Sequence, residues 1–324
     1  MKPVQLGAAL ALFTLFALTC GAVVAQGYPV KPVRIVVPFT AGGPNDAAAR
    51  PLAQKLHEFW GQPFVLDFRP GANAIIGTDY VAKAPPDGYT LLVISSTYTI
   101  NTATYAKLPY DPNKDFAAVS SIAASDILFV VNLVVPARSI KEFVALARAR
   151  PGGLVYASTG VGGSVHLAAE LLSYTGGIKM VHVPYKGAVM AMTDVIGGHV
   201  DVMFIAASTG IPQVKAGKVR ALATASRRRA PALPEVPTFA EAGYAGVEVD
   251  SRYGIVAPAA MPRDAITRLN AGMVKALAAS DMRERYAAMG MEAVTTTPQE
   301  YAEHLREEMV KLRKVVAAAK IPLQ

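Results

Sequence analysis

Val33-Arg34-Ile35-Val36-Val37-Pro38-Phe39-Thr40-Ala41-Gly42-Gly43-Pro44-Asn45-Asp46 joins a run of β-branched residues to a glycine-rich turn. Beyond it Leu52, Leu56 and Phe59 recur at helical spacing. A short apolar run bounded by turn residues reads as a strand buried on both faces. The glycines let the chain turn tightly and bare its N–H groups, and the free N–H groups at the start of the next helix favour an anion. Pro51 falls inside the expected helix, so either the helix begins near Arg50 or it kinks there.

Working outward, strand-like and helix-like segments alternate. Strands are expected over 90–94, 128–135, 154–158, 181–183, 200–205, 219–224 and 255–257, and helices over 164–174 and 188–196. This alternation argues for an α/β fold with a largely parallel sheet. Ser139-Ile140-Lys141-Glu142 and Thr297-Pro298-Gln299-Glu300 are capping boxes, each opening a helix. Ile266, Leu269, Met273 and Leu277 form one apolar stripe, and Tyr301, Leu305, Met309, Leu312 and Val316 form another; both read as core packing. Two crossings, near 126–130 and 247–253, divide the chain. Residues 26–128 plus 251–324 would build one lobe, and residues 129–250 a second lobe inserted into it.

The chain has 324 residues, 52% hydrophobic and 17% charged. With that share of apolar residues it can bury a sizeable core, which excludes intrinsic disorder. Its 32 Lys+Arg against 24 Asp+Glu leave a formal charge of +8, a bias toward anionic partners. Arg227-Arg228-Arg229 is the one charge run and reads as a solvated turn, not a nucleic-acid patch. The one cysteine, Cys20, excludes a disulfide framework and any cysteine-based zinc site.

Lys2 is the only charge before Lys31, residues 6–18 are almost wholly apolar, and small residues lead to Val23-Val24-Ala25. This is the layout of a secretory signal over residues 1–25, cut after Ala25. An uncleaved membrane anchor and a lipoprotein cut at Cys20 are the rival readings. The cut removes the cysteine and suits an oxidising compartment.

Ser158-Thr159-Gly160-Val161-Gly162-Gly163-Ser164 repeats the strand–turn–helix arrangement in the second lobe and adds three hydroxyls able to donate to a carboxylate. It is not a dinucleotide fingerprint, because Val165 stands where the third glycine belongs, nor a P-loop, because the Gly-Lys-Ser/Thr ending is missing. One such loop in each lobe suggests a clamp on a ligand in the cleft between them. Enzyme readings find little: there is no Gly-x-Ser-x-Gly elbow. His57, His166, His182, His199 and His304 lack metal-ligand spacing. His166 either bonds nearby backbone or lines the site. Asp194 and Asp201 make no convincing acid–base pair. A hydrolase or lyase using the Ser158–Ser164 loop is the enzymatic rival.

Several stretches together resemble the Bug family of extracytoplasmic solute receptors of tripartite tricarboxylate transporters. They include Tyr28-Pro29-Val30-Lys31-Pro32-Val33-Arg34-Ile35-Val36-Val37-Pro38-Phe39, Gly42-Gly43-x-x-Asp46, Arg69-Pro70-Gly71-Ala72 and Pro86-Asp87-Gly88-Tyr89-Thr90. Leu108-Pro109-Tyr110-Asp111-Pro112, His182-Val183-Pro184-Tyr185-Lys186-Gly187 and Leu233-Pro234-Glu235-Val236-Pro237-Thr238 continue the match. Glu241-Ala242-Gly243 and Gly254-Ile255-Val256-Ala257-Pro258 carry it toward the C-terminus.

The resemblance implies a periplasmic, monomeric receptor with a two-lobed fold like type II periplasmic binding proteins. It would hold a small carboxylate in the cleft, use no cofactor, metal or nucleic acid, catalyse nothing, and serve integral membrane transporter subunits. A periplasmic sensor regulating a membrane signalling partner is the alternative. Carried over by position, the implied ligand contacts are Phe39, Thr40, Ala41, Asp46 and Ser96 or Thr97 in the first lobe. In the second they are Ser158, Thr159, Gly163, Ser164 and His166, with Tyr185 nearby. Thr40-Ala41, Asn45, Ile205 and Arg252 depart from the family pattern. Ile205 stands where an Asp is common, which argues against a ligand bearing an amino group.

Overall fold

The computed structural model describes residues 27–249 and 251–318. The expected signal segment and its cut after Ala25 lie outside the described residues.

From Lys31 onward the chain forms two lobes, each a sheet covered by helices. The first sheet has six strands in the order β11-β4-β10-β3-β1-β2. They are β1 (Val33–Val37), β2 (Phe64–Phe68), β3 (Thr90–Ser95), β4 (Phe116–Ser125), β10 (Ser251–Pro258) and β11 (Met291–Ala293). The second sheet has five strands in the order β7-β6-β8-β5-β9. These are β5 (Ile127–Asn132), β6 (Val155–Ser158), β7 (Val181–Pro184), β8 (Val202–Ala206) and β9 (Val219–Thr224). Only Asp126 separates β4 in the first sheet from β5 in the second.

The sheets are mixed, which corrects the expectation of a largely parallel sheet. Strand β1 pairs in parallel with β2 and β3, and β6 with β7 and β8. The strands that arrive from the other lobe run the opposite way. Strand β10 is antiparallel to β3 and β4, and β5 is antiparallel to β8 and β9. Helical crossovers force parallel pairing only within a βαβ unit, and these strands enter without one.

Ten helices pack on the sheets among the described residues. Helix α1 spans Pro44–Trp60, α2 Ile75–Ala82, α3 Ser96–Thr104, α4 Ile140–Ala149 and α5 Ser164–Gly176. The remainder are α6 (Ala188–Gly197), α7 (Ala207–Lys215), α8 (Arg263–Ala278), α9 (Ser280–Ala288) and α10 (Pro298–Ala318). Helix α1 begins at Pro44, not near Arg50: Gly43 is extended and Pro44 occupies the first turn, where a missing N–H matters least. Pro51 is accommodated in the buried interior of α1. Gly61 ends the helix at φ 66°, a left-handed conformation that glycine adopts without a Cβ clash.

Strand β5 stops at Asn132, short of the expected 135. The Asn132 carboxamide accepts from Val134 N at 2.8 Å and donates to Val195 O at 2.6 Å, so a side chain takes over the hydrogen bonding and turns the chain. The Thr297 box is reciprocal, Thr297 N donating to Glu300 Oε2 at 2.8 Å and Glu300 N to Thr297 Oγ1 at 3.2 Å. Ser139 Oγ accepts from Glu142 N at 3.2 Å, but the Glu142 carboxylate takes Arg138 N, one residue earlier. The expected stripes are buried at Leu269, Met273 and Leu277 and at Tyr301, Met309, Leu312 and Val316. The centre of the second lobe is Phe129, fully buried, with Phe143 and Phe204 at ring distances of 4.9 and 4.8 Å.

The arginine run is a turn, and its guanidiniums are ion-paired: Arg227 with Glu248, Arg228 with Glu292 and Arg229 with Glu241. The Arg228–Glu292 pair joins the segment after β9 to β11, and so links the two lobes. Exposed pairs of this kind contribute about 0–1 kcal/mol each.

Candidate functional site

Strand ends and helix starts meet between the lobes. A cavity of about 40 Å³ there touches Gly43, Ser95, Ser164, Ala188 and Ala206. These are the caps or first residues of α1, α3, α5, α6 and α7, and none of the five helices has a side chain capping its N-terminus. The first turns of α3, α5, α6 and α7 also hold no acidic residue. Uncapped N–H groups and the positive ends of helix dipoles thus converge on one small space.

The rest of the wall has two characters. Phe39, Pro44, Ile127, Val165 and Ile205 are apolar, whereas Thr40, Thr97, Thr159, Ser251, Tyr253 and Asn45 bring hydroxyls and one carboxamide. Among the described residues, no Asp, Glu, Lys, Arg or His stands in this wall. Two polar side-chain atoms of the wall, Thr40 Oγ1 and Asn45 Nδ2, are sealed from solvent without a hydrogen-bond partner.

Of the residues expected at the site, Phe39, Thr40, Thr97, Thr159 and Ser164 line this cavity. Ala41 is exposed on the turn. Asp46 supports the glycine loop from below: its Oδ2 accepts from Gly42 N at 2.8 Å, and Arg50 pairs with its Oδ1 at 2.8 Å. Ser96 Oγ accepts from Arg252 N at 3.0 Å, tying α3 to β10. Gly163 caps α5, against the side chain of Asn73 in the other lobe. Tyr185 lines a second cleft, of about 250 Å³, that shares Phe39 and Thr159 with the cavity and has Lys186 as the charged residue in its wall. Its hydroxyl donates to Asp194 at 2.5 Å, and burial, followed by that carboxylate, pushes the phenol up to about 12. Asp201 accepts from Val155 N at 2.7 Å, so the two aspartates serve separate structural contacts.

Ser158 is fully buried behind the wall. Its Oγ lies 2.6 Å from His182 Nε2 and accepts from Gly160 N at 3.1 Å, which fastens the second glycine loop. His166 takes the backbone-bonding role: its Nδ1 accepts from Gly162 N at 3.1 Å. The His166 and His182 rings stack at 4.4 Å, and Tyr156 stacks on His182 at 4.7 Å. Burial lowers both imidazoles to about 4; for His182 the neighbouring His166 adds to the effect. Both are neutral near pH 7, so the 3.8 Å approach of His166 Nε2 to Glu170 is not an ion pair there. Among the described residues no cluster of three His, Cys, Asp or Glu side chains gathers as for a metal ion.

Sequence reasoning missed His182 as the partner of Ser158, and the helix α3 that opens at the expected contacts Ser96 and Thr97. The α3 segment, Ser-Thr-Tyr-Thr-Ile-Asn-Thr-Ala-Thr, is rich in residues of low helix propensity, and tertiary packing overrides that preference. The usable signal was Ser95-Ser96-Thr97 directly after a buried strand, a third strand–helix junction of the same kind.

Two α/β lobes around a small cavity built from helix starts form a solute-binding protein of the two-lobed periplasmic class. A family model described as "Tripartite tricarboxylate transporter family receptor" matches residues 48–321, and the chain belongs to this family. Protein BugT of Bordetella pertussis is 32% identical over 98% of both chains. Three solved structures cover the whole length of their own chains. Rpa4515 of R. palustris, solved with adipate, is 34% identical over 92% of this chain with a TM-score of 0.89. Periplasmic binding protein BugD is 30% identical over 92% with a TM-score of 0.88. MatC from Rhodopseudomonas palustris, with bound malate, is 31% identical over 89% with a TM-score of 0.86.

Proposed function

We propose that this receptor works in the periplasm, captures a small carboxylate between its lobes, and delivers it to integral membrane transporter subunits. One observation carries the reading: five uncapped helix N-termini converge on a cavity whose wall, among the described residues, holds no Asp, Glu, Lys, Arg or His. Helix starts and hydroxyls stabilise a negative group without a counter-ion, and release it more readily than a buried arginine pair would. Lys186 in the adjoining cleft draws an anion toward the entrance. The adipate and malate held by related receptors belong to the same ligand class. Ligand contacts come from Phe39, Thr40, Thr97, Thr159 and Ser164, with Ala41, Asp46, Ser96, Ser158, Gly163, His166 and Tyr185 shaping the loops around them.

The mature chain starts at Gln26 and works as a monomer, with residues 26–128 plus 251–324 as one lobe and 129–250 as the other. No reaction is catalysed. Ser158, which has a histidine beside it, faces His182 and is not among the residues lining the cavity. A cavity of about 40 Å³ is far smaller than the roughly 300–1,000 Å³ of usual small-molecule pockets, so the lobes part to admit ligand and close on it.

A thermal-shift panel of mono- and dicarboxylates, amino acids, sugars and polyamines tests the ligand class. A carboxylate at a hundredfold excess over Kd stabilises the fold by about 2.7 kcal/mol, and the sugars and polyamines do nothing. Stabilisation by sugars or polyamines alone would refute the anion clamp. Strong binding of amino acids would leave the clamp standing but remove the inference from Ile205, which offers no carboxylate to an ammonium group. Co-purification from membranes checks the transporter partner.

A further inference from the structure

Asn45 follows Pro44 at the start of α1, is 4% exposed, and forms part of the cavity wall. Its Nδ2 is sealed from solvent and bonded to nothing, as is Thr40 Oγ1 across the same turn. A buried donor left unmade is expensive, and the fold keeps two of them in residues of this one cavity wall. The second lobe meets the cavity with a separate set of donors, the Thr159 and Ser164 hydroxyls and the start of α5. Both lobes therefore bring donors to the cavity, with the apolar side chains of Phe39, Ile127 and Ile205 also in its wall.

Resting on the carboxylate-receptor reading, we propose that Asn45 is a specificity-determining residue: its carboxamide donates to the second carboxylate of a dicarboxylate whose first carboxylate is held by the Thr159–Ser164 loop. The amide supplies direction and the start of α1 supplies the field. Thr40 Oγ1 completes the pair of donors. A site built to hydrogen-bond a group discriminates strongly against an analogue that lacks it, because its buried donors are then left unpaired. A monocarboxylate of the same chain length would leave Asn45 and Thr40 in that state.

Calorimetric titration with pairs matched in chain length separates the possibilities: succinate against butyrate, glutarate against valerate, adipate against hexanoate. The wild-type protein is expected to favour the diacid by about tenfold or more in at least one pair. Asn45→Ala should weaken that diacid by about tenfold while changing its monoacid partner less than about twofold, so the preference collapses. Asn45→Asp keeps the shape, replaces the donor with a negative acceptor, and should weaken the diacid further still. Thr40→Val is the second, independent arm and should narrow the same ratio. Equal losses on diacid and monoacid in the Asn45 and Thr40 variants would overturn the assignment. So would a wild-type protein that binds monoacids as tightly as diacids, while leaving the carboxylate reading intact. A wild-type protein that binds none of these acids would refute that reading and this one together.

Discussion

His166, in the first turn of α5, and His182, in β7, both bond the second glycine loop, and their chemistry is set by what surrounds them. Both rings are held near pKa 4 by burial, against 6.5 in an open chain. As pH falls, the unfolded chain takes up these two protons first. Stability held at pH 7 is therefore lost progressively from about pH 6.5 down to about 4, below which both states are protonated and no further loss comes from these residues. Two protons correspond to a slope of up to about 2.7 kcal/mol per pH unit. Urea midpoints at pH 7 and pH 5 should show this drop, and His182→Gln should remove roughly half of the histidine contribution. An unchanged pH dependence in that variant would mean that His182 does not titrate as its burial implies. His182 could not be singled out beforehand because Ser158 is 24 positions away along the chain and meets it only through the parallel pairing of β6 with β7.

Strand β5 is the element on which the second lobe depends. It lies between β8 and β9, and all six of its residues are buried. Phe129 packs on Phe143 from α4, Phe204 from β8 and Phe239 from the loop after β9. Truncation to Ala leaves a hole that no exposed neighbour can fill, and Phe129→Ala should cost about 3–5 kcal/mol in chemical denaturation. Ser139→Ala, which removes only the cap of α4, should cost about 1 kcal/mol. Similar losses from the two changes would contradict the central place given to β5. Both helix caps and both apolar stripes were legible in the sequence because a cap or a stripe is a pattern over a few adjacent residues. The end of β5 was not, since Asn132 stops it by bonding to Val195, 63 positions further on.

At the scale of the whole molecule, the lobes touch on both sides of the cavity. Thr104 Oγ1 donates to Gly162 O at 3.1 Å and Tyr105 Oη to Val161 O at 3.0 Å. Gly187, at the start of α6, packs so closely on Thr40 of the other lobe that a Cβ there would overlap the threonine hydroxyl. Its φ is 179°, extended backbone that any residue adopts, so a substitution meets only the approaching lobe. Gly187→Ala should thus keep the unliganded melting temperature near that of the wild type while holding the lobes apart. Small-angle scattering should give a larger radius with saturating ligand than the wild type shows, together with at least tenfold weaker binding. A variant that closes and binds normally would mean that the Thr40–Gly187 approach is not part of closure.

What the residues alone determined is whatever depends on near neighbours in the chain: the buried strands, the glycine turns, the caps, and the two strand–turn–helix loops. From these came the α/β class and, through the ordered family motifs, the two-lobed receptor. The tertiary structure alone decided what depends on distant pieces meeting. It turned β10 and β5 antiparallel to their neighbours, because strands crossing from the other lobe are not bound by the handedness of a βαβ unit. It placed Ser158 behind the wall against His182, and Asn45 in the wall with a free amide. Strand β8 brings Ile205 and the start of α7 to the same cavity as Ser95 and Ser164. Hydrogen-bond partners and solvent exclusion are properties of a packed interior, and no spacing along the chain encodes which side of a 40 Å³ cavity a side chain will face.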